Sequence, residues 1–126
     1  MQIGFIGLGN VGGQLARSLL RNGMNLMVRD IDEDLMDRFV SQGATKADSA
    51  KELASACDVI ITCLPSPAIC AEVMEAEDGV IAGMSKDSIW LEMSTTDEAE
   101  VRRIAGKVET QGSVAVDCPV SGGCHR

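Results

Sequence analysis

Short apolar runs alternate along this chain with stretches in which apolar residues recur every three or four positions, a pattern that predicts repeated β-α units around a parallel sheet. The first run, Ile3 to Ile6, breaks at Gly7. Val11, Leu15, Leu19 and Leu20 follow at helical spacing until Asn22-Gly23 stops the helix. A second strand is expected over Asn25 to Arg29. It leads into a helix from about Asp32 to Gln42 whose buried stripe is Leu35, Met36, Phe39 and Val40, ended by Gly43. A weaker strand near Ala44 to Lys46 precedes a helix capped by Ser49 and running to Ala56. Val59 to Cys63 is a continuous apolar run of the length of a buried parallel strand. Pro65 and Pro67 end it and start a helix through Glu75, followed by a short helical piece near Asp78 to Met84 and a strand from Ser88 to Met93. Ser94-Thr95-Thr96-Asp97 is rich in capping side chains and opens a helix to about Gln111. Gly112 then punctuates, and Val114 to Cys118 makes a sixth strand.

Composition narrows the classes. With 126 residues and 45% hydrophobic content there is chain enough to bury one core and not two, so a single domain over 1–126 is expected. A net charge of -8 disfavours a nucleic-acid partner, since such proteins concentrate Lys and Arg to displace phosphate counterions. The N-terminus enters a strand at once and carries no signal-peptide pattern, and no segment reaches the roughly 20 apolar residues of a membrane helix. The cysteines, Cys57, Cys63, Cys70, Cys118 and Cys124, are odd in number and none are paired as C-x-x-C. Reduced thiols in a cytoplasmic protein are expected, and no metal ligand is assigned.

The chemistry starts at Gly7-Leu8-Gly9-Asn10-Val11-Gly12. A bare G-x-G-x-x-G is common, so its context decides: it should follow a strand, open a helix and be followed about 20 residues on by an acid. All three conditions hold. Gly7 makes the tight turn, Gly9 lets the backbone approach a pyrophosphate and Gly12 lets helix and strand pack closely, while the helix N-terminus offers free amides and partial positive charge. Asp30, at the end of the second strand, can accept hydrogen bonds from both hydroxyls of an adenine ribose, which selects NAD over NADP because a 2'-phosphate would meet a like charge. The competing reading is that Asp30, Asp32, Glu33 and Asp34 load a helix start with favourable charge, and a capping role suits Asp32. The expected fold is therefore α/β, a Rossmann-type doubly wound parallel sheet.

Four segments, FIGLGNVG at the start, ITCLPS (Ile61 to Ser66), EMSTTD (Glu92 to Asp97) and DCPVSGG (Asp117 to Gly123), together resemble the β-hydroxyacid dehydrogenase family, in that family's order and spacing. The resemblance implies an NAD-dependent oxidoreductase of the 3-hydroxyisobutyrate dehydrogenase type, moving hydride between the nicotinamide and a small 3-hydroxy acid or semialdehyde. It implies that Leu64 and Pro65 pass the cofactor's ribose, that Thr95 lies near the nicotinamide, and that Ser121, Gly122 and Gly123 bind the substrate's carboxylate and hydroxyl. Members that prefer NADP carry an Asn-Arg-Ser/Thr triplet where Asp30, Ile31 and Asp32 stand here, so NAD is expected. Independently, ligands of open parallel sheets bind beyond the carboxyl ends of the strands, where Gly7, Asp30, Leu64, Ser94, Thr95 and Ser121 all fall. A serine hydroxyl beside glycine amides suits an anionic oxygen, and a plain terminal turn is the alternative.

The family's proton-transferring lysine lies on a helix beyond the SGG signature, so no catalytic residue is assigned in this chain. Lys46, Lys51, Lys86 and Lys107 read as exposed positions away from the ligand edge, and His125 as a solvated tail. The helical C-terminal domain is expected to be absent, leaving Val114 to Cys118 as a sheet edge through which copies self-associate. The alternative function is a non-catalytic dinucleotide-binding fragment. An imine-reducing relative is a third option, against which Asp30 argues.

Overall fold

The computed structural model describes residues 1–94 and 97–118. Strands β1 (Gln2–Ile6), β2 (Asn25–Arg29), β3 (Thr45–Lys46), β4 (Val59–Thr62), β5 (Ile89–Glu92) and β6 (Val114–Asp117) alternate with helices α1 (Asn10–Arg21), α2 (Glu33–Ser41), α3 (Ala50–Ala56), α4 (Pro67–Glu75), α5 (Val80–Gly83) and α6 (Glu98–Thr110). All the pairings are parallel and the order is β3-β2-β1-β4-β5-β6. The chain builds outward from β1 to one edge, returns to β4 and builds to the other. Between β1 and β4 the connections leave in opposite directions, which opens a crevice at the strands' carboxyl ends. This is the Rossmann-type sheet that the alternation predicts.

Helix starts follow their chemistry. Asp32 caps α2 by accepting from the Leu35 N–H at 3.2 Å, and Ser49 caps α3 through the Glu52 N–H at 3.0 Å. Ser66, rather than either neighbouring proline, caps α4 through the Ile69 N–H at 3.2 Å, and Pro67 takes the first helical turn, where its missing N–H costs nothing. Within the polar cluster before α6, Asp97 accepts from the Ala99 N–H at 2.8 Å.

Because side chains alternate along a strand, the core divides into two layers, one on each face of the sheet. Ile3, Phe5, Leu26, Val28 and Ile61 pack with Met36 and Phe39 of α2 and with Ala16 of α1. Ile6, Ile60 and the fully buried Trp90 pack with Leu53, Met74, Ile104 and Val108. One expected core position is corrected: Val40 is 40% exposed, because α2 meets the sheet through Met36 and Phe39. Val11 is 48% exposed, because α1 meets the sheet through Gly12, Gly13 and Ala16. Helix α1 thus approaches through its smallest residues, which a count of large apolar side chains does not register. The cysteine expectation is also corrected in part: Cys57, Cys63 and Cys70 are free thiols, but Cys118 is disulfide-bonded. No described helix is long and apolar enough to cross a membrane.

On the surface, Glu75 of α4 joins α6 through a salt bridge from Arg103 at 2.6 Å and another from Lys107. Hydrogen bonds from Arg103, then from Lys107, hold the Glu75 carboxyl at a pKa of about 2, below its ordinary 4.5. A depressed carboxyl stabilises the fold above the ordinary value, and this contribution is lost as pH falls from about 4.5 towards about 2. Acid unfolding followed by circular dichroism should therefore begin at higher pH in Glu75→Gln. After allowance for solvent screening, the loss at neutral pH should be roughly 1 kcal/mol.

Candidate functional site

The crevice between β1 and β4 is a cleft of about 920 Å³. Gly7, Gly9, Asn10, Val11 and Gly12 form one wall, Asp30 and Ile31 lie beyond β2, Leu64 and Pro65 beyond β4, and Ser94 beyond β5. Of the described residues assigned to cofactor binding in the sequence, Leu8 alone stays out of the cleft: its side chain is buried and only its backbone takes part. Thr95, Ser121, Gly122 and Gly123 lie outside the described residues.

Local geometry explains the glycines individually. Gly7 has φ +100°, a left-handed conformation in which a side chain is strained, and its N–H donates to the Arg29 carbonyl at 3.1 Å. A Cβ at Gly12 would stand 2.0 Å from the Gly7 carbonyl oxygen, so α1 can lie against the turn only with hydrogen there. A Cβ at Gly9 would meet nothing within 4 Å. Gly9 is therefore not needed for packing, and it lines the cleft.

Helix α1 begins at this turn with no side-chain cap and no acidic residue in its first turn, whereas α2, α4 and α6 carry the caps of Asp32, Ser66 and Asp97. Its first amides, and the positive end of its dipole, are left for a partner from the cleft. Asp30 stands opposite. Its Oδ2 accepts from the Leu8 N–H at 2.8 Å and its Oδ1 from the Asp32 N–H at 3.0 Å. Each carboxylate oxygen has two acceptor directions, so one on each remains beyond these backbone bonds. The helix-loading role belongs to Asp32, the cap of α2, and to Glu33 and Asp34 in its first turn, and Asp30 lies outside the helix. Ile31, 96% exposed, Val11 and Ile69 bring apolar surface to the same cleft. Among the described residues that line it there is no lysine or histidine, and the four lysines are exposed elsewhere.

Sequence reasoning missed the group that ties these walls together. Glu92, at the end of β5, is fully buried. Its Oε1 accepts from the Ser94 N–H at 2.6 Å, and its Oε2 from the Thr62 hydroxyl at 3.0 Å and the Cys70 thiol at 2.7 Å. The Trp90 indole N–H donates to Thr62 Oγ1 at 2.9 Å, which leaves the Thr62 proton free to be donated to Glu92. Ser94 Oγ in turn accepts from the Leu64 N–H at 2.6 Å. The sequence signal was the single acid ending the otherwise apolar run Ile89-Trp90-Leu91. Burial, then the charge of Glu92, raises the pKa of the Cys63 thiol on the cleft wall, which keeps it protonated and a poor nucleophile near neutral pH.

Residues 2–126 match the family described as the NAD binding domain of 6-phosphogluconate dehydrogenase. The chain is 38% identical over 121 residues to the mitochondrial 3-hydroxyisobutyrate dehydrogenase of Mus musculus, covering 96% of this chain and 36% of that protein. To the NAD-dependent L-serine dehydrogenase of Pseudomonas aeruginosa it is 35% identical over 122 residues, 97% of this chain and 41% of that one. The crystal structure of 3-hydroxyisobutyrate dehydrogenase from Salmonella typhimurium superposes with a TM-score of 0.88 at 31% identity, over 98% of this chain and 43% of that one. The chain thus spans less than half the length of each of these proteins.

Proposed function

The chain belongs to the family described as the NAD binding domain of 6-phosphogluconate dehydrogenase, and from this premise we propose that it is a β-hydroxyacid dehydrogenase domain that holds the NAD of an enzyme acting on a small 3-hydroxy acid or the matching semialdehyde. The observation that carries the reading is the uncapped N-terminus of α1 opening onto the cleft, with the Asp30 carboxylate opposite. The amides of the first turn of α1 would take the pyrophosphate, and Gly9 would leave room for it. Asp30, already oriented by Leu8 and Asp32, would accept from the adenine ribose hydroxyls, and Ile31 and Ile69 offer apolar surface to a flat base. Leu64 and Pro65 would pass the second ribose and Thr95 would adjoin the nicotinamide. Bound there, the cofactor would supply the acceptor or donor of hydride. Ser121, Gly122 and Gly123 are proposed to hold the carboxylate and hydroxyl of the substrate.

A second reading is dinucleotide binding without hydride transfer by this chain, and the lack of a lysine or histidine among the described cleft residues favours it. Proton transfer needs a group within hydrogen-bond reach of the reacting hydroxyl. Substrate-dependent reduction of NAD by the purified chain, lost in Ser121→Ala, would exclude the second reading. The cytoplasmic placement belongs to this proposal: the free thiols of Cys57, Cys63 and Cys70 support it, whereas the disulfide at Cys118 and the compartment named for the mouse relative count against it.

The test of cofactor binding is a calorimetric titration with NADH and, separately, NADPH. Saturable binding that favours NADH, and that weakens at least about tenfold in Asp30→Ala through loss of charge-assisted hydrogen bonds, is the expected result. Binding of neither cofactor would overturn the reading.

A further inference from the structure

Glu92 makes no contact with solvent and does not line the cleft, yet three elements that meet at the cleft converge on it. Thr62 ends β4, Cys70 is on α4, and Ser94 follows β5. All three are donors, so both carboxylate oxygens act as acceptors, the pattern of an ionised group held by neutral dipoles. A buried carboxylate with no cation among its described partners is costly to retain, and well-packed apolar residues would serve stability as well or better. Its connections lead towards the cleft. The Ser94 N–H on Oε1 fixes the turn leaving β5, and the Ser94 hydroxyl then receives the Leu64 N–H at 2.6 Å. Ser94 and Leu64 both line the cleft.

Resting on the cofactor reading above, we propose that Glu92 is a positioning residue: through Ser94 it holds the backbone of Leu64, and so the β4-side wall of the cleft, at the spacing the dinucleotide requires. The role differs from that of Asp30, which faces the ligand directly. Glu92 orders the wall from behind, and the Ser94 hydroxyl is the link that connects the two.

The experiment is a double-mutant cycle on the dissociation constant of NADH, with thermal unfolding recorded for every variant. Ser94→Ala removes the hydroxyl acceptor and leaves the Thr62 and Cys70 contacts of Glu92 untouched. Its affinity for NADH should fall about tenfold, the equivalent of one well-placed hydrogen bond. Glu92→Gln should weaken binding at least as much, and the double variant no further than Glu92→Gln alone, because both changes break one connection. A merely structural Glu92 would instead give losses that multiply in the double variant, and that outcome overturns the proposal. If Glu92→Gln does not fold, Ser94→Ala decides by itself, since unchanged NADH affinity in that variant overturns the relay. Failure of the wild-type chain to bind NADH would overturn the cofactor reading and this proposal with it. Wild-type binding with an unaltered Ser94→Ala would overturn this proposal alone.

Discussion

Alanine at Gly12 is expected to unfold this protein some 10 °C below the wild type and to abolish NADH binding. The added Cβ would lie 2.0 Å from the Gly7 carbonyl oxygen, 3.1 Å from its carbon and 3.3 Å from the Phe5 ring. The nearest of these atoms are backbone, in a turn whose φ of +100° and hydrogen bond to Arg29 leave it little room to yield. Helix α1 must then move away from β1, opening the layer built on Phe5 and Ala16. Overpacking of this kind costs roughly 3 kcal/mol. For a chain of this length that corresponds to a melting shift on the order of 10 °C. Gly9→Ala is the matched control. Its Cβ meets nothing within 4 Å, and Gly9 has φ −66°, which alanine adopts freely. Stability should stay within about 1 kcal/mol of the wild type, the range for an N-cap glycine. NADH affinity should nevertheless fall about tenfold or more, because the methyl group would occupy the approach of the pyrophosphate. Equal loss of stability in both variants, measured by differential scanning calorimetry, would refute this division of labour.

The second large effect is a reversal of cofactor choice. In the paired change Asp30→Asn and Ile31→Arg, the ratio of the dissociation constants for NADPH and NADH should move by on the order of 100-fold in favour of NADPH, about 3 kcal/mol. Two terms add. The carboxylate that would repel a 2'-phosphate is removed, and a guanidinium is introduced at Ile31, a position that is 96% exposed and lines the cleft, so the longer side chain meets no steric cost there. The asparagine oxygen can keep one of the backbone donors, from Leu8 or Asp32, that Asp30 holds, and the turn should survive. Parallel calorimetric titrations decide the matter. Intact binding with an unmoved ratio would mean that the adenine ribose lies elsewhere than at Asp30.

Much of the site is legible along the chain because its parts are local. Gly7, Gly9 and Gly12 share one turn, and that turn's conformation is a property of the residues in it. Asp32 and Ser49 likewise act within a few residues of themselves, as caps. Val11 shows the limit of spacing alone. It shares helical spacing with Leu15 and Leu19, but close docking through Gly12, Gly13 and Ala16 turns it towards the cleft, on the side to which the glycine motif assigns it. The apolar pattern records which residues avoid water, and a residue that awaits an apolar ligand carries the same pattern as one in the core.

The sequence by itself determined the order of strands and helices, the parallel sheet, the glycine turn and the acid that faces it, because periodicity, caps and turn chemistry act over a few residues. Only the tertiary structure decided that Cys118 is disulfide-bonded and that Glu92 joins Thr62, Cys70 and Ser94. These partners lie as far as 30 positions from Glu92, and hydrogen-bond geometry between elements exists only once the sheet has brought their ends together.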